Sequence, residues 1–189
     1  MGGKILKLVA PKKDGFLRCK DENLVEFVGA NADEQLDTFI RTSECIPKTS
    51  SSYYFEVVVV NGGKDDNIVV GLSTSDAKLC PGMSANTIGI YGSDGSICQN
   101  GEKLAWGGSF TTGDVISCQI SRIKDWHLRL VPIRCQFWKN GKQSGPSRYL
   151  VGRQIFPAVG LNAPGAAIKI NLGEKPFIYG KFVLLIRCG

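Results

Sequence analysis

Histidine is nearly absent from this sequence of 189 residues, and the single example, His127, limits the chemistry that can be expected. Hydrolytic sites need a base beside a Ser or Cys nucleophile, and no motif here combines nucleophile, base and orienting residue. The sequence also lacks the G-x-x-x-x-G-K-S/T loop that cradles phosphates. Asp65 and Asp66 are adjacent and point apart, which indicates a solvated turn rather than a glycosidase pair. We therefore predict a non-catalytic protein without a cofactor.

Closely spaced metal ligands are missing as well. No C-x-x-C pair occurs, and this dispersion argues against a zinc site. The seven cysteines are Cys19, Cys45, Cys80, Cys98, Cys118, Cys135 and Cys188. We expect most of them to be small buried hydrophobic residues. The sequence has no N-x-S/T glycosylation site, and its opening, MGGKILKLVAPKK, contains only a short apolar run interrupted by Lys. We expect a cytoplasmic protein, with nuclear localisation left open.

The net charge of the protein leaves a nucleic-acid ligand open as an alternative. The formal net charge is +6 and the sequence pI is about 9.0, so phosphates of a nucleic acid are conceivable ligands. Trp138, beside Lys139 and Lys142, could stack on a base. The 23 basic residues are scattered rather than clustered, however, and this favours a protein or peptide ligand. No membrane association is expected, and we expect a monomer.

Alternating apolar residues predict an all-β fold. In YYFEVVVV, Tyr53, Phe55, Val57 and Val59 share one face, which we take as the core face. VISCQI and AAIKINL alternate in the same way, so that one side of each strand should face water. This pattern is typical of antiparallel sheets, and no window has sustained helical periodicity. Short strands between Gly, Asn and Asp turns imply a sandwich or a barrel, and we predict an antiparallel β-sandwich of two packed sheets.

Turn residues fix one connection in particular. Asn140 and Gly141 follow QFWK, and an Asn-Gly pair supplies the two positive φ angles that a type I′ hairpin requires. Ile116, Cys118 and Ile120 have the parity of one core-facing strand, and Cys135 and Phe137 that of its partner. We therefore predict that these strands pair, with residues 124–134 outside the ladder and Pro132 excluded from a central strand.

Nine segments follow one another along the sequence: LVEFVG, FIRTSECIP, SYYFEV, IVVGLST, PGMSANTIGIYGSDG, FTTGDVISC, QFWKNGK, IFPAVGLNAPG and NLGEKPFIY. In this order they resemble the SPRY domain family. The branch that they resemble is the RanBPM-like one, because FTTGDVI, FPAVGL followed by a PG turn, and a Gly-x-x-Pro-Phe ending occur together. The resemblance implies a concanavalin-like jelly roll that binds a partner protein without catalysis, as an adaptor or scaffold. A substrate or scaffold receptor of a ubiquitin-ligase-type assembly is one such role. Alternatives are a secreted SPRY effector and a basic nucleic-acid-associated domain.

The resemblance also implies a division of the chain. Residues 1–13 form an N-terminal extension, residues 14–179 the SPRY domain with an insert at 124–134, and residues 180–189 an atypical tail. Met83 departs from the family, which usually has Trp at this position. The insert and the tail are further departures.

Peptide-binding members of the family use loops at one end of the sandwich. Alignment of the motifs identifies the corresponding loops in this sequence. The implied ligand-binding residues are Gln35, Leu36, Asp37, Thr74, Leu79, Met83, Asn162 and Ala163. Tyr91 could add an aromatic contact, because aromatic side chains dominate many interfaces. We expect Thr74, Met83 and Asn162 to lie on one surface, at the same end of the sandwich.

Overall fold

The computed structural model describes residues 8–9, 16–20, 23–29, 38–123, 132–152 and 154–180. Across these ranges the protein is all-β, with two antiparallel sheets packed as a sandwich, which confirms the predicted fold class. Among the same residues there is no helix long and apolar enough to cross a membrane. Four of the six cysteines within them are buried, in agreement with the sequence prediction.

The first sheet has the strand order β1-β4-β13-β6-β7-β8-β9. Its strands are β1 (Leu8–Val9), β4 (Phe39–Thr42), β6 (Ile68–Ser73), β7 (Ile88–Tyr91), β8 (Ser96–Gln99), β9 (Glu102–Trp106) and β13 (Phe156–Leu161). Because β6 and β13 are antiparallel, Leu161 pairs with Ile68 and Phe156 pairs with Ser73. The sandwich thus has an Asn162 end, where β13 finishes and β6 starts, and an opposite Thr74 end.

The second sheet has the order β12-β11-β10-β5-β14-β3-β2. Its strands are β2 (Leu17–Lys20), β3 (Leu24–Phe27), β5 (Ser52–Asn61), β10 (Val115–Arg122), β11 (Pro132–Lys139), β12 (Lys142–Val151) and β14 (Ala167–Asn171). Phe55, Val57 and Val59 point into the core, as their alternation predicts. Ile68, Val70 and other residues of the first sheet meet them there.

Part of the outer face of the second sheet is buried, whereas the sequence predicts that this face is exposed to solvent. Glu56 and Ser117, which the alternation places on this face, are both buried. Residues 173–180, which we call the C-terminal strap, cross the face, and the Phe177 ring packs edge-on against Tyr54 with centroids 4.8 Å apart. The expectation that the polar side of VISCQI faces water is therefore wrong at Ser117.

A buried carboxylate holds the strap in place. The Glu56 carboxylate accepts the backbone N–H groups of Ile178 at 2.7 Å and Tyr179 at 2.8 Å. It also accepts the Tyr54 hydroxyl at 2.8 Å. Burial raises the pKa of Tyr54, and the Glu56 carboxylate adds to the increase, so this phenol remains a donor at neutral pH. Three donors thus compensate the desolvation of one charge.

The hairpin between β11 and β12 confirms the type I′ prediction, since φ is 50° at Asn140 and 77° at Gly141. Pairing of β10 with β11 also agrees in register: Cys118 faces Phe137 and Ile120 faces Cys135.

The extent of the β10–β11 ladder corrects the predicted insert. The ladder continues until Arg122 pairs with Ile133, and Ile133 is fully buried. Residues 133 and 134 therefore belong to β11, which begins at Pro132, a position where a proline is tolerated. Residues 124–131 lie outside the described residues.

Candidate functional site

A long connection between β6 and β7 covers the outer face of the first sheet. We call residues 75–87 the crossing loop. Its apex is a tight turn in which the Met83 N–H donates to the Cys80 carbonyl at 3.0 Å. Pro81 fits the first central position of a type II turn, and Gly82, with φ of 95°, fits the second. The Cys-Pro-Gly-Met sequence thus folds back on itself above the sheet.

Two glycines without positive φ angles allow the crossing loop to lie directly on the strands. A Cβ atom at Gly89 of β7 would come within 2.4 Å of the Pro81 carbonyl oxygen. At Gly160 of β13 a Cβ would lie 2.8 Å from the Cys80 Sγ atom. Both distances are below any normal contact, so side chains at these positions would lift the loop from the sheet.

Asn162 connects the crossing loop to the strand ends. Its Oδ1 atom accepts the Thr38 N–H at 3.1 Å, and its Nδ2 group lies 3.4 Å from Cys80 Sγ. Asn162 and the neighbouring Ala163 are both buried. Their side chains therefore set the positions of surrounding loops and present little surface of their own.

Two aromatic residues stand on the same face of the first sheet, near the Asn162 end. The Tyr91 hydroxyl donates to the Pro81 carbonyl at 3.3 Å, so Tyr91 supports the turn of the crossing loop. Trp106 at the end of β9 pairs with Ser96 of β8 and is 63% exposed. Since neighbouring strands are about 4.8 Å apart, Tyr91 and Trp106 lie on the order of 10 Å from each other.

Sequence reasoning missed Trp106 altogether. Its signal was an aromatic residue at the end of a short strand, beside the Gly107-Gly108 pair. A strand that is exposed at four of its five positions, Trp106 included, leaves this large apolar side chain without a core to join. Such a residue is a stronger indication of an interface than the buried residues around it.

A charged pair lies beside these aromatic residues. Lys103 Nζ lies 2.6 Å from Asp94 Oδ2, and the Ser96 N–H donates to Asp94 Oδ1 at 2.9 Å. Burial acts to raise the pKa of Asp94, but the bonds from Lys103 and Ser96 outweigh it and lower the pKa to about 2. The hydrogen bond to Asp94 also raises the pKa of Lys103. Both groups are thus fully charged at neutral pH.

The structure separates Thr74 from Asn162. Thr74 follows Ser73, which pairs with the first residue of β13, whereas the Asn162 N–H donates to the Asn67 carbonyl at the other end of β6. At about 3.3 Å per residue, Thr74 and Asn162 are more than about 20 Å apart. The prediction that Thr74, Met83 and Asn162 share one end is therefore wrong. Met83 follows Gly82, whose carbonyl accepts the Gly101 N–H at 2.8 Å. The turn at Gly101 is on the Thr74 side, because Gln99 pairs with Ile88 and Ile88 pairs with Leu72.

Thr74 instead contributes to a separate polar cleft of about 320 Å³ at its own end. Lys48, Asp76 and Asn86 are among the other residues that line this cleft.

Of the remaining predicted residues that the structure describes, Tyr91 and Ala163 lie near the Asn162 end, and Leu79 and Met83 lie on the crossing loop. Leu79 is partly buried, while Met83 is 43% exposed on the turn. Gln35, Leu36 and Asp37 lie outside the described residues, directly before Thr38.

The chemistry of the site favours binding over catalysis. In the part of the chain that the structure describes, no group of three His, Cys, Asp or Glu residues could hold a metal ion. The features that stand out are rigid loops, two aromatic side chains and charges of both signs. Such a surface is suited to recognising another macromolecule.

Comparison with known proteins agrees with this reading. The family model described as SPRY domain matches residues 52–175. Ran-binding protein 10 of Danio rerio is 31% identical over 175 residues, which cover 90% of this chain and 28% of that protein. Ran-binding protein 9 of Homo sapiens is also 31% identical, over 90% of this chain and 23% of its own length. The chain thus spans about a quarter of these relatives.

Solved structures support the fold. The crystal structure of a human SPRY domain has a TM-score of 0.67 at 23% identity and covers 85% of this chain and 98% of that chain. The SPRY domain of human HERC1 has a TM-score of 0.60 at 17% identity, over 85% and 94% of the two chains. From the family match and the curated relatives together, the chain belongs to the SPRY domain family of protein-interaction modules, in its RanBPM-like branch.

Proposed function

We propose that this domain binds a partner protein, without catalysis, through the surface at the Asn162 end, with Trp106 as the principal anchor. The observation that carries the proposal is the 63% exposure of Trp106 on a sheet edge close to Tyr91. Tryptophan and tyrosine are enriched among the few residues that supply most of the binding energy at interfaces. The backbone of Trp106 is already fixed by pairing with β8, so burying the ring costs side-chain entropy but little backbone entropy.

Backbone conformation at this end adds support. Asp65 and Asp66 both have positive φ, 61° and 49°, in the turn that precedes β6. Left-handed backbone at a non-glycine residue costs on the order of 1 to 3 kcal/mol, and such strain concentrates at functional surfaces. The Thr111 hydroxyl donates to Asp66 at 2.7 Å and stabilises this turn against the next loop.

The charge pattern at this end favours a protein over a nucleic acid. Exposed cations such as Lys64 and Lys103 alternate with Asp65 and Asp94, and Lys103 is already paired. A phosphate backbone would require a continuous basic track.

In keeping with the resemblance to RanBPM-like proteins, the bound protein would be presented to a larger cytoplasmic assembly of the ubiquitin-ligase type. The domain would act there as a monomeric substrate or scaffold receptor.

The test is affinity capture from cell lysate with mass spectrometry, using the wild type and Trp106→Ala. Tyr149→Ala is the matched control, because Tyr149 is 54% exposed on a different strand. We expect proteins recovered by the wild type and the control to be lost with Trp106→Ala, whose affinity should fall roughly 30-fold. All three proteins should unfold at similar temperatures. Recovery of the same partners by Trp106→Ala would contradict the proposal.

A further inference from the structure

Tyr91 and Trp106 belong to one row of residues that runs across three strands of the first sheet. Trp106 of β9 pairs with Ser96 of β8. Ser96 comes directly before Ile97, which pairs with Ile90, so the row continues from Ser96 to Tyr91 of β7. Ile90 and Ile97 are core residues, and their neighbours Tyr91 and Ser96 therefore point to the outer face.

The spacing of the two aromatic residues matches the repeat of a polyproline II helix. Two strand spacings of about 4.8 Å place the backbones of Tyr91 and Trp106 about 9.6 Å apart. A polyproline II helix has three residues per turn and rises about 3.1 Å per residue, so residues i and i+3 lie about 9.3 Å apart on one side. Two prolines in a P-x-x-P segment can therefore meet one aromatic ring each.

Both aromatic residues are held in position by the fold itself. The Tyr91 hydroxyl donates to the Pro81 carbonyl at 3.3 Å, which fixes the ring against the crossing loop. Trp106 is held by strand pairing, and the N–H of the next residue, Gly107, donates to the Gly95 carbonyl at 2.7 Å. A ligand that is also extended before binding, as a polyproline II segment is, loses little conformational entropy on such a surface.

Hydrogen-bond donors stand beside the rings. Lys103 pairs with Cys98, two residues along β8 from Ser96 and on the same face. Its ammonium has three N–H groups, and one of them meets Asp94 Oδ2 at 2.6 Å. The indole of Trp106, 63% exposed, adds one N–H. A polyproline II segment has no internal hydrogen bonds, so its carbonyl groups are acceptors for such donors.

The charges on this surface are complementary to a neutral ligand. Asp94 and Lys103 compensate each other at 2.6 Å. Asp114, in the loop that follows β9, is paired with Lys139 at 3.1 Å. A charged peptide would have to compete with these pairs, whereas proline side chains carry no charge.

We propose that Tyr91 and Trp106 bind a proline-rich segment of the partner protein in the polyproline II conformation, with prolines at positions i and i+3. One proline packs on each ring, and Trp106 and Lys103 donate to carbonyl groups of the segment. The ligand class assigned here rests on the function proposed above, because it concerns the same surface.

The experiment compares two neutral decapeptides with blocked ends in NMR titrations of the complete chain labelled with ¹⁵N. One peptide repeats Pro-Ala-Ala and has prolines at i and i+3, whereas the other repeats Pro-Ala and has more prolines but none with that spacing. The readout is the indole N–H signal of Trp106, which is identified by its loss in Trp106→Phe.

The variants remove one ring at a time. Trp106→Ala and Tyr91→Leu each delete an aromatic surface, and Tyr91→Phe keeps the ring without the hydroxyl. Tyr149→Ala is the matched control, because Tyr149 is an exposed aromatic residue on the other sheet. Thermal unfolding of every variant verifies that the domain is folded.

We expect the Pro-Ala-Ala peptide to shift the Trp106 indole signal and to bind roughly 10-fold more tightly than the Pro-Ala peptide. Its affinity should fall roughly 10-fold with Trp106→Ala and with Tyr91→Leu, and change little with Tyr91→Phe and Tyr149→Ala. Equal affinities for the two peptides, or a Trp106 signal that does not shift, would overturn the inference.

Capture from cell lysate separates this inference from the proposed function. An excess of the Pro-Ala-Ala peptide should displace the proteins that Trp106→Ala fails to recover. If capture depends on Trp106 but the peptide neither binds nor displaces, the ligand class is wrong and the protein-binding function stands. Capture that does not depend on Trp106 contradicts the proposed function, and the ligand class with it.

Discussion

The Asn162 side chain accepts the backbone N–H of Thr38 at 3.1 Å, so a residue that follows β13 fixes the start of β4, 124 residues earlier in the chain. Both residues are buried. This bond ties Thr38 to the turn after β13, and the Asn162 amide connects the same turn to Cys80 of the crossing loop.

Replacement of Asn162 by Ala should destabilise the domain by about 1 to 3 kcal/mol, because the Thr38 N–H loses its buried acceptor. Urea denaturation followed by intrinsic fluorescence measures the change. Asn61→Ala is the control, since Asn61 is exposed and accepts only the nearby Gly63 N–H, and it should cost less. Equal losses for the two variants would mean that the Asn162 bond adds nothing beyond a surface contact.

Close approach of the crossing loop to β13 gives a second prediction. Gly160→Ala should destabilise the domain by about 1 to 3 kcal/mol, because its Cβ would lie 2.8 Å from Cys80 Sγ. The double variant Gly160→Ala/Cys80→Ala removes that sulfur atom. Its loss should be smaller than the sum of the two single losses by about 1 kcal/mol. If the decreases in the free energy of unfolding are additive, the strain does not arise from this contact.

Glu56 provides a third prediction. In Glu56→Gln one carboxylate oxygen becomes an amide nitrogen that cannot accept, so at least one of the strap's backbone N–H groups loses its partner. We expect a loss of about 2 kcal/mol, since hydrogen bonds to charged groups contribute about 1.5 to 3 kcal/mol. The strap should also be cleaved faster by protease under native conditions. Glu102→Gln, at an exposed position of β9, should change neither quantity.

The β10–β11 hairpin yields a fourth prediction. It replaces the expectation from sequence that the whole of residues 124–134 lies outside the ladder. The last described contacts are the Arg122–Ile133 pair and the Ile123 N–H, which donates to the Pro132 carbonyl at 3.1 Å. Replacement of residues 124–131 by Asn-Gly should therefore leave a cooperatively folded domain. Removal of residues 124–134 should not, because it deletes the buried Ile133. Similar unfolding free energies for the two deletions would show that Ile133 is dispensable.

Much of the fold could be predicted because it depends on local rules. The alternation in β5 and the Asn140-Gly141 turn identify strand faces and a hairpin from neighbouring residues alone. The order of the nine motifs then indicated the SPRY domain family. The alternation and the turn are each contained in a few consecutive residues, and motif order is read along the sequence, so none of these signals requires the three-dimensional structure.

The candidate site was harder to predict because it depends on contacts between distant residues. Motif alignment indicated which loops to consider, but the ends at which Thr74 and Asn162 lie follow from the β6–β13 register. Likewise, Glu56 has the parity of a solvent-facing residue, and only the return of the strap across the sheet buries it. Trp106 was overlooked because its local signal, an aromatic residue beside the Gly107-Gly108 pair, does not show whether a distant segment covers the ring.

The strap has a consequence for where this domain stops as a folding unit. The family match ends at residue 175, yet the two N–H groups that satisfy Glu56 belong to Ile178 and Tyr179. A protein cut at the family boundary would expose Tyr54 and the Glu56 carboxylate to water, and would remove two of the three donors that this carboxylate accepts. The contacts that complete the second sheet therefore continue to Tyr179, beyond the sequence that defines the family.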